Sequence, residues 1–472
     1  MLWSSVGRFG IVGIHFFSNM VLARLLTPAD FGCIGMLYIF IAVSEVFVIG
    51  GFGAALIQKN SPSHIDYTTV FYWNLMMAIL VYSILYFLAP YIARFYEMEI
   101  LCDVLRVQSL TLIISGFSIV QSTQLQKDLR FREFSIRGVV SALIGVCVAI
   151  VMAYMGYGIW SLVGLTLATR ISNVFLLWGM SRWRPTLDFS TSSLKSLFSF
   201  GGMMALSSFV ETFYTNVQGL IIGKWFTPQD LGYYTQARKL EQVPTSALSA
   251  VVSQVAFPVF SLLNDDKEKL RTGISKSVKS IAFFNIPLFV LLFVIAKPII
   301  RLLYGSQWEE SIPYFQILCL SGIVYVINSI NLNIIRALGK GKIYFLMQTT
   351  KRMIGICLIV IGVSFGVIGV VSSIAVTFFI DFIINGYVNK QLIGYGVKQQ
   401  IIDIWKILFV AIILGLLCFL FAYVARINIY IIMLFQIFMF ISLYIFLAYF
   451  MRMEGLFVYK ELLVKYINKR NV

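Results

Sequence analysis

Apolar residues dominate long blocks of this chain, and short polar links separate the blocks. The blocks cover roughly 3–25, 30–57, 68–95, 101–124, 134–156, 158–180, 195–223, 232–260, 277–304, 312–337, 342–365, 367–390, 402–425 and 427–452. Each is about 20 residues or longer, and a helix of ~20 residues spans the ~30 Å hydrocarbon core of a bilayer. The pattern predicts an all-α integral membrane protein with about 14 crossings. No link exceeds about 20 residues, which leaves no room for an extramembrane catalytic domain.

The chain also repeats itself. Thr27-Pro28-Ala29-Asp30-Phe31-Gly32 returns 200 positions later as Thr227-Pro228-Gln229-Asp230-Leu231-Gly232. Each copy follows an apolar block that ends in one basic residue, Arg24 or Lys224. Six predicted crossings separate the copies, so the halves run in the same direction, related by an axis along the membrane normal. A looser match pairs Ile92-Ala93-Arg94-Phe95-Tyr96 with Ile300-Arg301-Leu302-Leu303-Tyr304. The expected organisation is an N-terminal six-helix lobe over 1–190, a second over 191–394, and two extra helices with a basic tail over 395–472. Within the repeat, proline should stop the first helix at the threonine. Asp30 and Asp230 can then cap the next helix, while Gly32 and Gly232 allow close packing.

Composition agrees with a membrane setting: 59% hydrophobic, 12% charged, mean hydropathy +0.87. A net charge of +16 would suggest nucleic acid for a soluble chain. Here it points to loops that face anionic lipid, or to an anionic solute. With the N-terminus inside, 26 of the 37 Lys and Arg fall in cytoplasmic segments and 9 in outer ones, including Arg426. Both ends are then expected in the cytoplasm. The six cysteines are scattered and read as packing residues; His15 and His64 form no ligand pair. No metal or cofactor is expected. The segment from Trp3 to Leu26 lacks a cleavage site and runs straight into the first repeat, so it reads as a crossing rather than a signal peptide. Almost nothing precedes Trp3, which points to a start further upstream.

Charge inside the hydrocarbon region is costly and marks pathways. The candidate cavity cations are Arg8, Arg24, Arg170, Lys224 and Arg238. Glu45, Glu211 and Asp381 (with Asn385 one turn on) are candidates for ion coupling, the alternative being neutral, hydrogen-bonded structural groups. The eighth crossing, Tyr233 to Pro258, is too polar for lipid and must line water or protein. It carries Arg238, Glu241 and Gln242 on one face, then Pro244, Ser246, Ser249, Ser253 and Gln254, and Pro244 should kink it. Arg238 and Glu241 can be an ion pair holding two helices together, or a cationic cavity wall lined further by Gln242. Gln121, Gln124 and Gln126 before Lys127, and Asn328, Asn331 and Asn333 before Arg336, read as solvated helix ends rather than an access vestibule.

No phosphate-binding loop, dinucleotide fingerprint, zinc-protease motif or catalytic triad occurs. Gly51-Phe52-Gly53 and Gly339-Lys340-Gly341 lack the strand context that would give them meaning. What the chain does resemble is carried by Leu22-Ala23-Arg24-Leu25-Leu26-Thr27-Pro28-Ala29-Asp30-Phe31-Gly32 and by Gly51-Phe52-Gly53-Ala54-Ala55-Leu56-Ile57-Gln58. These look like the signature of Wzx-type bacterial polysaccharide flippases of the multidrug/oligosaccharidyl-lipid/polysaccharide exporter superfamily, relatives of lipid II flippases and MATE drug exporters. Within that group the chain is similar to the branch serving colanic-acid-like polysaccharides and teichuronic acid. The resemblance implies a bacterial plasma-membrane protein that is not an enzyme. Its cargo would be an undecaprenyl-pyrophosphate-linked oligosaccharide, moved from the inner to the outer leaflet by alternating access of two six-helix lobes. Cavity cations would hold the pyrophosphate, the last two helices would offer a groove for the prenyl tail, and polymerase or export machinery would be partners alongside membrane lipid.

Two other readings compete. A MATE-like ion-coupled drug or cation exporter shares the expected fold, but its cavity should be acidic. Here the embedded charges have a basic excess. A membrane polymerase or ligase would need a large outer loop, and the sequence has none.

Overall fold

The computed structural model describes residues 2–262, 266–425 and 427–456, side chains at 2, 4–6, 8, 251, 253–259 and 261 excepted. Among the described residues every regular element is helical. The chain runs α1 (Leu2–Leu25), α2 (Pro28–Ile49), α3 (Phe52–Gln58), α4 (His64–Phe95), α5 (Ile100–Gln108), α6 (Leu110–Gly116), α7 (Ile119–Lys127), α8 (Phe131–Tyr154) and α9 (Ile159–Met180). It continues through α10 (Thr191–Trp225), α11 (Pro228–Leu262), α12 (Lys267–Val294), α13 (Ala296–Leu303), α14 (Ser311–Ala337), α15 (Gly341–Val363), α16 (Gly366–Ile393), α17 (Val397–Val424) and α18 (Ile429–Phe450).

Each apolar block therefore becomes one helix or a short series. Ten spans among the described residues are long and apolar enough to cross a membrane. The fourth block is broken instead: Ile100–Gly116 and Ile119–Lys127 meet at a 44° bend. The second is interrupted at Gly50 and Gly51, whose φ values of 58° and 67° suit glycine. Of the long helices, three fall outside the ten: α1, whose described apolar part is Phe9–Leu25, and α10 and α11. Helix α11 passes through Pro244 without ending. Ser253, Gln254 and Pro258 lie outside the described side chains.

The chain forms two compact units, Met1–Gly232 and Tyr233–Val472. In the first, α8 packs on α1 and α9, α4 on α5 and α6, and α10 on α2, α3 and α4. Phe52, Leu56, Val70, Phe71, Val120 and Leu197 form one buried cluster, and Val48, Ala78, Leu85 and Leu112 another. In the second unit, α14 packs against α12 and α16, α15 against α16, and α17 against α12 and α18. Its core includes Ile274, Val278, Ile327, Ile330, Ile334, Ala411 and Tyr444. Large apolar side chains such as Phe409, Leu416, Leu434 and Phe438 point outward, as lipid-facing helices require.

The repeated hexapeptide is a capping box in both copies, with the helix starting earlier than expected. Thr27, not Asp30, is the N-cap of α2. Asp30 sits in the first turn and reaches back, its Oδ2 accepting from Thr27 N at 2.9 Å and Thr27 Oγ1 at 2.7 Å. Asp230 does the same for Thr227 at 3.1 and 2.7 Å. Each box satisfies donors that a helix start leaves unpaired. A third stands at α4, where Asp66 answers Ser63. The loosely matched segments also correspond: Tyr96 and Tyr304 are both buried C-caps, of α4 and α13.

The motif Gly51 to Gln58 is explained by α3 and its end. Lys127 donates from Nζ to the carbonyls of Leu56 at 2.8 Å, Ile57 at 3.3 Å and Lys59. A cation thus closes the carboxyl end of a two-turn helix, where the backbone dipole favours it.

Candidate functional site

Charged groups placed inside the spans form separate pairs, each held within one unit. In the first unit Arg170 of α9 donates to Glu45 of α2 at 2.7 Å. This joins a candidate cavity cation to a candidate coupling carboxylate, so Glu45 has a charged partner rather than standing alone in its helix. The Arg170 side chain remains 44% exposed. Lys224, at the end of α10, donates to Phe95 O at 2.6 Å and lies 3.5 Å from Glu97, so it ties α10 to the end of α4. Arg24 is exposed at the end of α1, and Glu211 is exposed on α10. The side chain of Arg8 lies outside the described residues.

In the second unit Arg238 approaches Glu241 at 3.5 Å, one turn along α11. The pair is internal to that helix and does not join two helices, which corrects the structural alternative drawn from the sequence. Glu241 is buried and also accepts from Thr245 Oγ1 at 2.5 Å. The next residue, Gln242, is exposed, so the expected common face divides into a buried acid and an open amide. Arg238 bridges the two environments, its side chain 27% exposed.

Asp381 of α16 faces Lys351 of α15 at 3.8 Å. Lys351 is one of the 26 basic residues that the charge bias places in cytoplasmic segments, yet it is 4% exposed and donates to Asn385 Oδ1 at 3.1 Å. From there amides cross between helices. Asn385 donates to Asn328 Oδ1 at 3.0 Å, and Asn328 donates to Phe378 O at 3.0 Å. One turn further along, Asn389 and Gln400 donate to Asn331 Oδ1 at 3.0 and 2.9 Å. Asn328, Asn331 and Asn333 are buried, which corrects the reading of solvated ends. Asn328 and Asn331 remain inside because amides on α14, α16 and α17 bond one another, whereas unpaired amides in an apolar interior are expensive. Gln121 is likewise buried, on α7. The spacings 328/331 and 385/389 put each pair on one helix face, which is the sequence signal for this spine.

An all-helical bundle with many apolar spans and charge buried inside them defines a multi-pass membrane protein of the transporter kind. A family model described as "Polysaccharide biosynthesis protein" matches residues 21–313, so the chain belongs to that family. Among curated relatives, the lipopolysaccharide biosynthesis protein WzxC of Escherichia coli is 25% identical, over 85% of this chain and 83% of its own. The teichuronic acid biosynthesis protein TuaB of Bacillus subtilis is also 25% identical, over 84% of this chain and 82% of its own. Among solved structures, the lipid II flippase MurJ superposes with a TM-score of 0.77 at 17% identity, covering 96% of this chain and 99% of MurJ. A MATE-family multidrug transporter gives 0.62 at 15% identity, covering 81% and 94%. These two likenesses establish the fold.

Proposed function

We propose that the protein is a flippase that turns lipid-linked oligosaccharide repeat units across the membrane for cell-surface polysaccharide, and that it does no covalent chemistry. The observation that carries this reading is family membership together with relatives named for polysaccharide assembly across most of both chains. The placement of charge agrees with an anionic cargo. Lys224 and Arg238 belong to α10 and α11, long helices that are not among the ten apolar spans found in the described residues. A diphosphate crossing a bilayer needs such fixed positive charge and exclusion from hydrocarbon.

The finer reading is an undecaprenyl-pyrophosphate carrier lipid, about 14 crossings, two similar six-helix lobes that alternate in access, and both termini in the cytoplasm of a bacterial plasma-membrane protein. The capping boxes at Thr27 and Thr227 and the matching C-caps at Tyr96 and Tyr304 support the repeat on which the lobes rest. Polymerase or export machinery would take up the flipped units. A MATE-like cation exporter shares the fold, but the basic excess on the polar helices disfavours a cationic cargo.

The test is a deletion strain whose lipid-linked intermediates are extracted and assigned to a leaflet. Undecaprenyl-pyrophosphate oligosaccharides should accumulate on the cytoplasmic side while surface polysaccharide disappears, and the trapped glycan identifies the cargo. Unchanged surface polysaccharide with new sensitivity to cationic dyes would establish the exporter instead.

A further inference from the structure

We infer that Asp381 is a proton-binding site at the middle of the second unit, with Lys351 as its fixed counter-ion. The inference rests on the transporter reading above and names the group through which a proton gradient would act on it. Lys351 lies ten residues into α15 and Asp381 fifteen into α16. At ~1.5 Å per residue, each is about 15 Å or more from its helix start, deep in the hydrocarbon region.

The pair is incompletely matched. Oδ2 of Asp381 is 3.8 Å from Lys351 Nζ, beyond hydrogen-bond reach, and the buried Oδ1 meets no donor among the described residues. Lys351 places its hydrogen bond on Asn385 instead. A buried ion pair is stable only when further hydrogen bonds satisfy both partners. Here the lysine has a hydrogen bond to the amide spine, and the carboxylate's buried Oδ1 has none among the described residues. Uptake of a proton by the carboxylate, –COO⁻ + H⁺ → –COOH, relieves that imbalance without moving the ammonium. The pair's net charge then changes from zero to plus one, which lets a proton gradient or membrane potential bias whichever conformation holds it.

Other charged groups leave this exchange to Asp381. Helix α15 adds Arg352 beside Lys351 and Lys342 at its start, and no acid. The buried length of α14 contributes amides, and its one charged residue, Arg336, bonds Tyr344 at the helix end. Helix α17 contributes Gln400, while its Asp403 is held by Ser275 and Tyr395 at 2.6 and 2.7 Å. The other candidate acids differ: Glu45 has a direct bond to Arg170, and Glu211 is exposed.

The experiment counts protons taken up by the purified full-length chain in detergent micelles on acidification of a weakly buffered, sodium-free solution. No glycan is present, so the outcome is independent of whether the cargo is correctly assigned. Asp381→Asn should take up one proton fewer per chain than the unmodified protein. Lys351→Met should show the same deficit, because the carboxyl without its counter-ion stays protonated throughout. The neutral double variant Lys351→Met/Asp381→Asn should melt close to the unmodified protein and also lack that proton, which serves if a single variant fails to fold. Equal uptake by the unmodified protein and the Asp381 variants would overturn the proposal. So would a sodium-dependent rise in melting temperature that Asp381→Asn abolishes, since Asp381 would then be a sodium ligand.

Discussion

At position 32 one oxygen atom decides which residue can stand there. A Cβ on Gly32 would lie 1.7 Å from the carbonyl oxygen of Pro228, and a Cβ on Gly232 would lie 2.0 Å from that of Pro28. The two hexapeptide turns thus touch reciprocally, glycine against proline carbonyl, inside the first unit. Backbone cannot yield as a flexible side chain can. Gly32→Ala should therefore cost at least the upper part of the ~1–3 kcal/mol usual for overpacking. Thermal melting in detergent should show a clear drop for Gly32→Ala and little change for Gly219→Ala, whose Cβ would have its nearest neighbour at 4.0 Å. Equal melting of the two variants would mean that the turns can separate freely. The identity of these glycines was legible in the sequence as a repeat, but the contact was not: nothing in either copy says that its partner is the other copy.

Helices are where the sequence is most readable and where it misleads in a definite way. Apolar blocks and capping residues give nearly every helix, because burial in lipid and the unpaired donors of a helix start both leave local marks. The broken helix at α5–α7 left no such mark, since its breaks carry neither proline nor a run of polar residues. The amide spine was misread for a related reason. An asparagine close to a basic helix end looks the same whether water or another amide meets it, and Asn331, Asn389 and Gln400 come from three different helices. Lys351 was hidden by the charge bias that counted it with the cytoplasmic basic residues. On α11 the question is what Arg238 serves. Its partner Glu241 sits on the same helix, so the pair contributes little to joining helices, and pairs of this spacing are worth only ~0.2–0.5 kcal/mol to a helix. Arg238→Ala should then reduce transport, read as surface polysaccharide, while the protein still accumulates in the membrane. Loss of folded protein in Arg238→Ala, restored by Arg238→Ala/Glu241→Ala, would make the pair structural.

For the whole molecule, contacts within each unit support the alternation of helix ends that the charge bias implies. In the second unit Lys279 reaches Asp403 at 3.5 Å and Glu454 at 2.8 Å, so the starts of α12 and α17 and the end of α18 share one side. All three were assigned to the cytoplasm. Arg301 and Glu309, 2.6 Å apart, join segments assigned to the outside. In the first unit Lys127 caps the end of α3, and Arg130 lies 3.4 Å from Met180 O at the end of α9, all on the predicted inner side. Lys224 meets the end of α4 on the predicted outer side. Among the described residues no ion pair in either unit joins an inner link to an outer one, which is the pattern expected of loops stitching a bundle across a bilayer. The absolute direction rests on the excess of 26 basic residues over 9, an electrostatic preference acting on short loops. Alkaline phosphatase, active only outside the cytoplasm, should be silent when fused after Lys340 or Lys398 and active when fused after Glu99 or Ser306. A reversed pattern would invert the protein, and with it the leaflet from which cargo is taken. A mixed pattern would mean that a helix read as a crossing turns back within the membrane, and the broken α5–α7 would be the first to examine.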